Sequence, residues 1–202
     1  MKVIFLDVDG VINSLENQAE EWGVHGFDTM NFDPVNMEPL KELVVSTGAE
    51  LILSSSWRHT DTPKNKAALQ NLHRILAEYG LVLAGDIGPY RNLRQDAIAD
   101  WLQKNPDVVD YVILDDVNDG FEGENLRRFV MTDEYVGLTM EDVKKAINIL
   151  NGISVSELIR QSVLERIEDE HDLKVYEEAM AEFKKNPVTY SHEEVERVLG
   201  LK

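Results

Sequence analysis

The chain opens with an uninterrupted apolar segment that ends in two aspartates one residue apart. Residues Val3 to Leu6 lack polar alternation, so we predict a strand buried on both faces of a parallel sheet. Asp7 and Asp9 follow at a spacing of two, which lets both carboxylates point the same way, and Gly10 permits a sharp turn beyond them. Ligands of open α/β sheets bind at this carboxyl edge, so the segment predicts a site there.

The paired carboxylates predict a bound cation. Two carboxylates held close together repel one another unless a cation lies between them, and Mg²⁺ prefers oxygen ligands of this kind. The alternative is a buried strand followed by an ordinary Asp-Gly turn, which involves no chemistry. The first motif by itself leaves both interpretations open.

Two further apolar strands end in polar groups. Residues 51–53 precede a run of serines and Arg58, and residues 111–114 precede Asp115 and Asp116. Buried strands that all end in groups suited to a phosphate or a metal rarely occur together by chance in one small domain. The combination therefore predicts a phosphate-handling active site.

Helical spacing of apolar residues predicts helices between these strands, and the alternation predicts a doubly wound parallel α/β sheet. The polar segment 13–33 predicts a long loop above the first strand, and no insertion is large enough for a cap domain. The predicted elements are helices over 34–45, 66–79, 94–103 and 140–150 and a short strand over 81–83.

With these motifs the sequence resembles the haloacid dehalogenase (HAD) superfamily of phosphohydrolases, which has a Rossmannoid fold. Within it, residues 1–150 are similar to the cap-poor HAD domains of multidomain RNA-repair proteins. Matching residues occupy each motif position: Asp7 and Asp9 in the first motif, Ser54 in the second, Arg94 at the helix start, and Asp115 and Asp116 in the fourth.

The resemblance implies a two-step phosphoryl transfer through an aspartyl-phosphate. Asp7 is then the nucleophile, and Asp9 protonates the leaving oxygen and later activates water. It also implies that Asp7, the Asp9 backbone carbonyl and Asp116 hold Mg²⁺, with Asp115 supporting the metal site and Asp119 a candidate for its outer shell.

The same resemblance implies a cradle for the transferring phosphoryl group, formed by the Ser54 hydroxyl, the amides of Val8 and Ser55, and a cation. Arg58 is a candidate contact for a distal part of the substrate, with a surface ion pair as the alternative. The identity of the phosphate-binding cation stays open among residues at the same sheet edge: Arg94, Arg91, Lys64 and Lys66.

Composition narrows the substrate. With 38 acidic and 20 basic residues the net charge is −18, and no basic cluster offsets it, so a small phosphorylated molecule such as a nucleotide is favoured over a long polynucleotide. Processing of RNA or DNA ends is the second possibility. The absence of cysteine excludes disulfides and thiolate metal sites. We expect a cytoplasmic protein, because no signal peptide or membrane-spanning apolar run is present.

A helical tail is predicted for residues 151–202, where a capping box at 154–157 and apolar stripes at helical spacing follow the sheet domain. Residues 152–160 resemble the second helix of the ribbon-helix-helix module of RelB-like antitoxins, and residues 172–201 resemble their toxin-embracing segment. The resemblance implies a homodimer through the tail or capture of a RelE-type toxin.

Dimerisation is favoured over toxin capture, because the apolar stripes need burial even without a toxin. Packing on the catalytic domain is the alternative. The antitoxins read DNA with a strand placed before their first helix, and the phosphatase-like domain takes that place here. Because the DNA-reading strand is replaced by this domain, we do not expect the tail to bind an operator.

Overall fold

A computed structural model describes residues 1–21, 25–89, 93–152, 155–185, 187 and 191–198. The chain forms two compact units, Met1–Ser154 and Val155–Lys202. Among the described residues, no helix has the length and apolar character needed to cross a membrane.

The first unit alternates strands and helices along the chain. Its elements are β1 (Lys2–Leu6), α1 (Leu15–Glu21), α2 (Pro34–Thr47), β2 (Glu50–Leu53), a 3-10 turn (Ser56–Arg58), α3 (Pro63–Glu78), β3 (Leu83–Asp86), α4 (Arg94–Lys104), β4 (Asp110–Asp115), α5 (Gly123–Arg127), β5 (Phe129–Met131) and α6 (Met140–Leu150).

The strands form one parallel five-stranded sheet in the order β3-β2-β1-β4-β5. The chain therefore winds outward from β1 in one direction through β2 and β3, and returns to build β4 and β5 on the other side of β1. In such sheets the reversal opens a crevice at the carboxyl ends of the two central strands, which here are β1 and β4. The predicted doubly wound α/β fold is confirmed.

The central strand is buried on both faces. Ile4 and Leu6 pack in the core that contains residues of α2, α3 and α6, whereas Val3 and Phe5 pack in a second core that contains Ile98 of α4. Complete burial of such side chains contributes about 1.5–3 kcal/mol each. This two-sided burial explains the unbroken apolar sequence of β1.

The polar segment 13–33 is not wholly a loop, because α1 forms within it. The Ser14 hydroxyl accepts the Asn17 amide at 3.2 Å, which satisfies a donor at the start of this short helix. The prediction of an uninterrupted loop was wrong, since it gave weight to glycines at positions 23 and 26 and missed the serine cap.

The predicted strand at 81–83 begins later, with β3 starting at Leu83. Gly80 adopts a φ of 73° at the end of α3, and the Leu81 amide donates to the Leu76 carbonyl at 2.9 Å. This bond commits Leu81 to closing the helix, so it cannot begin the strand.

The second unit contains α7 (Val155–Lys185) and α8 (His192–Val198). Both apolar stripes predicted for the first part of the tail lie on the single helix α7, because the sequence between them contains no glycine or proline. At the start of α8 the Ser191 amide donates to Glu194 Oε2 at 2.8 Å, and the Glu194 amide donates to Ser191 Oγ at 3.4 Å. The Ser154 cap predicted for the long helix lies outside the described residues.

Candidate active site

Three adjacent strands bring the predicted site residues to one edge of the sheet. Leu6 is paired with Leu53 of β2 and with Leu114 of β4, so the residues that follow these positions lie level with one another. The Asp7 amide donates to the Leu114 carbonyl at 3.0 Å, and the Ser54 amide donates to the Leu6 carbonyl at 2.8 Å. Parallel pairing therefore sets the spacing of the site.

An acidic cluster lies at this edge. Asp7, Asp115 and Asp116 each offer a carboxylate oxygen, and these atoms all lie within 4.8 Å of one another. Burial raises the pKa of Asp116, and the charge of Asp7 raises it further. A divalent cation between the carboxylates would relieve this repulsion, so the all-oxygen donor set fits Mg²⁺.

The position of Asp116 depends on Gly10. Gly10 has a φ of 71°, and a Cβ built on it would lie 2.4 Å from Asp116 Cγ. The Thr132 hydroxyl donates to the Gly10 carbonyl at 2.8 Å and holds this turn from the other side. The Asp116 carboxylate therefore packs against bare backbone, in space that a side chain would occupy.

Asp115 is engaged by groups of the chain itself. Its Oδ1 accepts the Val117 amide at 3.0 Å, and its Oδ2 forms an ion pair with Arg94 Nη1. Asp7 and Asp116 are therefore better placed than Asp115 to bind a metal, and Asp115 supports the site by holding Arg94.

Arg94 reaches the acidic cluster from the first residue of α4. Its Nη1 lies 3.1 Å from Asp7 Oδ2, and its side chain is 13% exposed. The residue before the helix provides no side-chain cap, and Asp119 Oδ2 instead accepts the Arg94 amide at 3.3 Å. Asp119, predicted as an outer-shell residue, thus lies at the start of α4 and helps to fix the position of Arg94.

The other predicted cations lie elsewhere. Lys64 lines a cavity beside Asp9, and Lys66 is exposed on α3. Arg91 falls outside the described residues. Arg94 is therefore the one cation of the predicted set that the described structure places against Asp7.

Asp9 is held by hydrogen bonds to both of its oxygens. Trp57 Nε1 donates to Oδ2 at 2.8 Å, while Asn13 Nδ2 and Gln18 Nε2 donate to Oδ1 at 2.8 Å and 3.4 Å. Burial raises the pKa of Asp9, the Trp57 and Asn13 hydrogen bonds lower it, and the charge of Asp7 raises it. The net upward shift suits a proton donor.

Sequence reasoning missed these partners of Asp9. The turn after β1 places Asn13, because the Val8 carbonyl accepts the amides of Val11, Ile12 and Asn13 at 3.0–3.2 Å. Gln18 was missed because α1 was predicted as a loop. Trp57 could have been found, since it follows β2 by the same strand-end rule that selects Ser54.

The Ser54 hydroxyl is buried and has no hydrogen-bond partner within the described part of the chain. A buried hydroxyl without a partner costs about 1–3 kcal/mol, and a phosphoryl oxygen at this position would satisfy it. The next residue, Ser55, is also buried, and its side chain accepts the Trp57 amide at 3.4 Å.

Arg58 binds backbone carbonyls. Its Nε donates to the Gly88 carbonyl at 3.0 Å, and its Nη1 donates to the carbonyls of Ser54 and Ser55. The guanidinium thereby joins the segment after β2 to the segment after β3. Its predicted contact with a distal part of the substrate stays a prediction.

A cavity of about 250 Å³ lies beside Asp9. Phe27, Trp57 and Ala68 contribute apolar surface to it, and Lys64 and other polar side chains complete its lining. The cavity therefore adjoins Asp9, the predicted proton donor.

The fold and the acidic strand-end site define a HAD-like hydrolase. Residues 3–143 match the family described as the HAD domain in Swiss Army Knife RNA repair proteins, and the chain belongs to this family. The family membership supports a phosphohydrolase. Comparison with curated proteins finds no match.

The tail has a separate family match. Residues 136–199 match a family of unknown function, DUF6290, which overlaps the end of the HAD domain and includes most of the tail. The RelB-like character of the tail stays a prediction.

Proposed function

We propose that this protein is a Mg²⁺-dependent phosphatase that hydrolyses a phosphomonoester through an aspartyl-phosphate. The observation that carries the proposal is the meeting of Asp7, Arg94 and the unpartnered Ser54 hydroxyl at one sheet edge. A carboxylate nucleophile, a cation and a buried donor are together what phosphoryl transfer requires.

In the first step the Asp7 carboxylate attacks phosphorus. A bond forms between Asp7 and phosphorus, the bond to the leaving oxygen breaks, and Asp9 gives its proton to that oxygen. Arg94, the Ser54 hydroxyl and the amides of Val8 and Ser55 surround the phosphoryl oxygens. When held by Asp7, Asp116 and the Asp9 carbonyl, Mg²⁺ supplies positive charge that offsets the repulsion between carboxylate and phosphate.

In the second step Asp9 acts as a base. It takes a proton from water as the water oxygen attacks phosphorus, inorganic phosphate leaves, and Asp7 is regenerated as a free carboxylate. Because Trp57 and Asn13 hold the two oxygens of Asp9, the same carboxylate is kept in place for both proton transfers.

The mechanism is tested with an aryl phosphate and Mg²⁺. Asp7→Asn should lower kcat by about 10³-fold or more, because the nucleophile is lost. Asp9→Asn should retain the first step with this good leaving group but slow the second, so labelled phosphate should stay on the protein after an acid quench. Asp100→Asn, an exposed position on α4, is the matched control. Full activity of Asp7→Asn would contradict the mechanism.

For the substrate we propose a small nucleotide, which the net charge of −18 favours over a long polynucleotide. The second candidate is a phosphate at an RNA or DNA end, because the family is described from RNA repair proteins. Measured kcat/KM for nucleoside monophosphates and for oligonucleotides phosphorylated at either end would decide between the two.

A further inference from the structure

The cavity beside Asp9 is the space into which a leaving group would extend. Asp9 lines this cavity of about 250 Å³. Because Asp9 protonates the leaving oxygen in the proposed mechanism, the rest of the leaving alcohol starts next to this carboxylate. Sites for drug-sized ligands have volumes of about 300–1,000 Å³, so this cavity suits one compact group.

Two aromatic side chains contribute to the apolar surface of the cavity. The Trp57 ring packs edge-on against Phe27 at a centroid distance of 5.6 Å, and its Nε1 is bound to Asp9. Trp57 is buried and Phe27 is partly exposed. The Phe27 ring therefore offers apolar surface to a planar group within reach of the proton donor.

A cation lies over the same aromatic surface. Lys64 Nζ is 5.4 Å from the centroid of the Phe27 ring, and His59 and Asn65 add polar groups to the lining. Lys64 belongs to the first turn of α3, which contains no acidic residue, and the start of a helix favours an anion. Although the net charge of the chain is −18, the lining formed by Lys64 and the start of α3 is suited to an anionic group.

Besides Asp9, which lines the cavity, the carboxylate of Asp61 opposes this preference. Asp61 precedes α3 and accepts the Asn65 side-chain amide at 2.7 Å. Asp61 is exposed and belongs to the lining of a neighbouring cavity with Arg58 and Asp86. Asp61 and Lys64 are both exposed, so water screens both charges, and of the two only Lys64 lines the cavity beside Asp9.

We infer that this cavity binds a leaving group made of one aromatic ring system that carries a second anionic group. A nucleotide with a second phosphate has this chemistry. The inference rests on the proposed function, since it places the leaving group by the role of Asp9. The second phosphate belongs either to a free bisphosphate or to the phosphodiester next to a phosphorylated nucleic-acid end.

The charge requirement is tested by comparing kcat/KM for adenosine 3′,5′-bisphosphate and adenosine 5′-monophosphate with Mg²⁺. The bisphosphate should be preferred about tenfold or more, and Lys64→Gln should reduce this ratio by about tenfold. Lys104→Gln removes the same charge from an exposed position at the end of α4 and should leave the ratio unchanged. Equal kcat/KM values for the two substrates in the wild-type protein would overturn the inference.

The aromatic requirement is tested with fructose 1,6-bisphosphate, which has two phosphates and no aromatic ring. The wild-type protein should prefer the adenosine bisphosphate, and Phe27→Leu should narrow that preference. A preference that Phe27→Leu leaves intact would overturn the aromatic part of the inference.

A dinucleotide with a 3′-phosphate distinguishes the two sources of the second anion. Hydrolysis that is faster than that of the free bisphosphate and sensitive to Lys64→Gln would assign the second charge to a phosphodiester. An aryl phosphate separates failure of the inference from failure of the proposed function. Hydrolysis of the aryl phosphate without a bisphosphate preference would overturn the inference alone, and no hydrolysis of any ester would overturn both.

Discussion

Gly10 has a positive φ of 71°, and the Asp116 carboxylate lies where its Cβ would be. Two separate costs therefore oppose any other residue at this position, namely backbone strain and a clash with a proposed metal ligand. Gly80 has a φ of 73° and no neighbour within 4 Å of its ideal Cβ, so it carries the strain without the clash. Comparing substitutions at Gly10 and Gly80 therefore distinguishes an effect on stability from an effect on metal binding.

We predict that Gly10→Ala lowers both stability and activity. The strain should reduce the free energy of unfolding by about 1–3 kcal/mol, and the displaced Asp116 should raise the Mg²⁺ concentration needed for half-maximal activity. Gly80→Ala should show the loss of stability with normal Mg²⁺ dependence. Urea unfolding and Mg²⁺ titration of aryl phosphate hydrolysis provide the measurements. Unchanged Mg²⁺ dependence in Gly10→Ala would argue against Asp116 as a ligand.

Trp57 acts on the chemistry through Asp9, and we predict a leaving-group effect from its replacement. Trp57→Phe removes the hydrogen bond to Asp9 Oδ2, which should lower kcat more for an alkyl phosphate than for an aryl phosphate. An alkyl leaving oxygen needs a proton from the acid, and general acid catalysis contributes about 10²–10⁴-fold.

The control for this experiment is Trp101→Phe. Trp101 packs edge-on against Phe5 in the other core, so its replacement removes an indole without touching Asp9. If Trp57 had a purely structural role, Trp57→Phe would lower kcat equally for the alkyl and the aryl phosphate. That result would refute its role as a positioning residue.

At the scale of helices and strands, the sequence predicts what depends on periodicity and strand ends. β1, β2 and β4 were predictable because buried parallel strands are continuously apolar, and the residues after them became the candidate site. Local hydrogen bonds were less predictable: α1 depends on the Ser14 cap, and the partners of Asp9 depend on a turn and on that helix. Such contacts depend on the conformation of single side chains in a turn and a short helix, which the spacing of apolar residues does not encode.

Asn36 connects three segments around the site. Its Nδ2 donates from α2 to the carbonyls of Val136 and Leu138 at 2.7 Å and 3.3 Å. The Leu138 amide in turn donates to the Val11 carbonyl at 2.7 Å, just after the turn at Gly10. This buried amide thus fixes the segment after β5 against the turn that carries the first motif.

We predict that Asn36→Ala lowers the free energy of unfolding by about 1–3 kcal/mol, because the carbonyl of the buried residue Leu138 and the part-buried carbonyl of Val136 lose a donor. Val35→Ala changes the adjacent residue, which is 64% exposed, and should alter stability by less than about 0.5 kcal/mol. Chemical denaturation of both variants provides the measurement. Similar values for the two would show that water replaces the Asn36 hydrogen bonds at little cost.

For the whole molecule, the predicted site residues all belong to the unit Met1–Ser154, and the tail is a separate compact unit. The described tail side chains include none that is buried, and α7 exposes large apolar residues such as Leu173, Tyr176 and Phe183. Leu173, Tyr176 and Phe183 lie within ten residues of one another on this 31-residue helix, a length of about 15 Å, and offer apolar surface to a partner. The residues proposed for catalysis all belong to the other unit.

We predict that the tail forms a homodimer through this surface. The intact protein should sediment at twice the chain mass of 23.0 kDa, and Leu173→Glu with Tyr176→Glu should return it to the monomer, because paired charges would be buried at the interface. Val175→Glu, on a different side of α7, is the matched control and should leave the dimer intact. The wild-type protein and both variants should hydrolyse the aryl phosphate equally well, since the proposed site lies in the other unit.

A monomeric wild-type protein that binds a RelE-type toxin would instead assign the exposed apolar residues of α7 to toxin capture, because the same residues can bury against only one partner at a time.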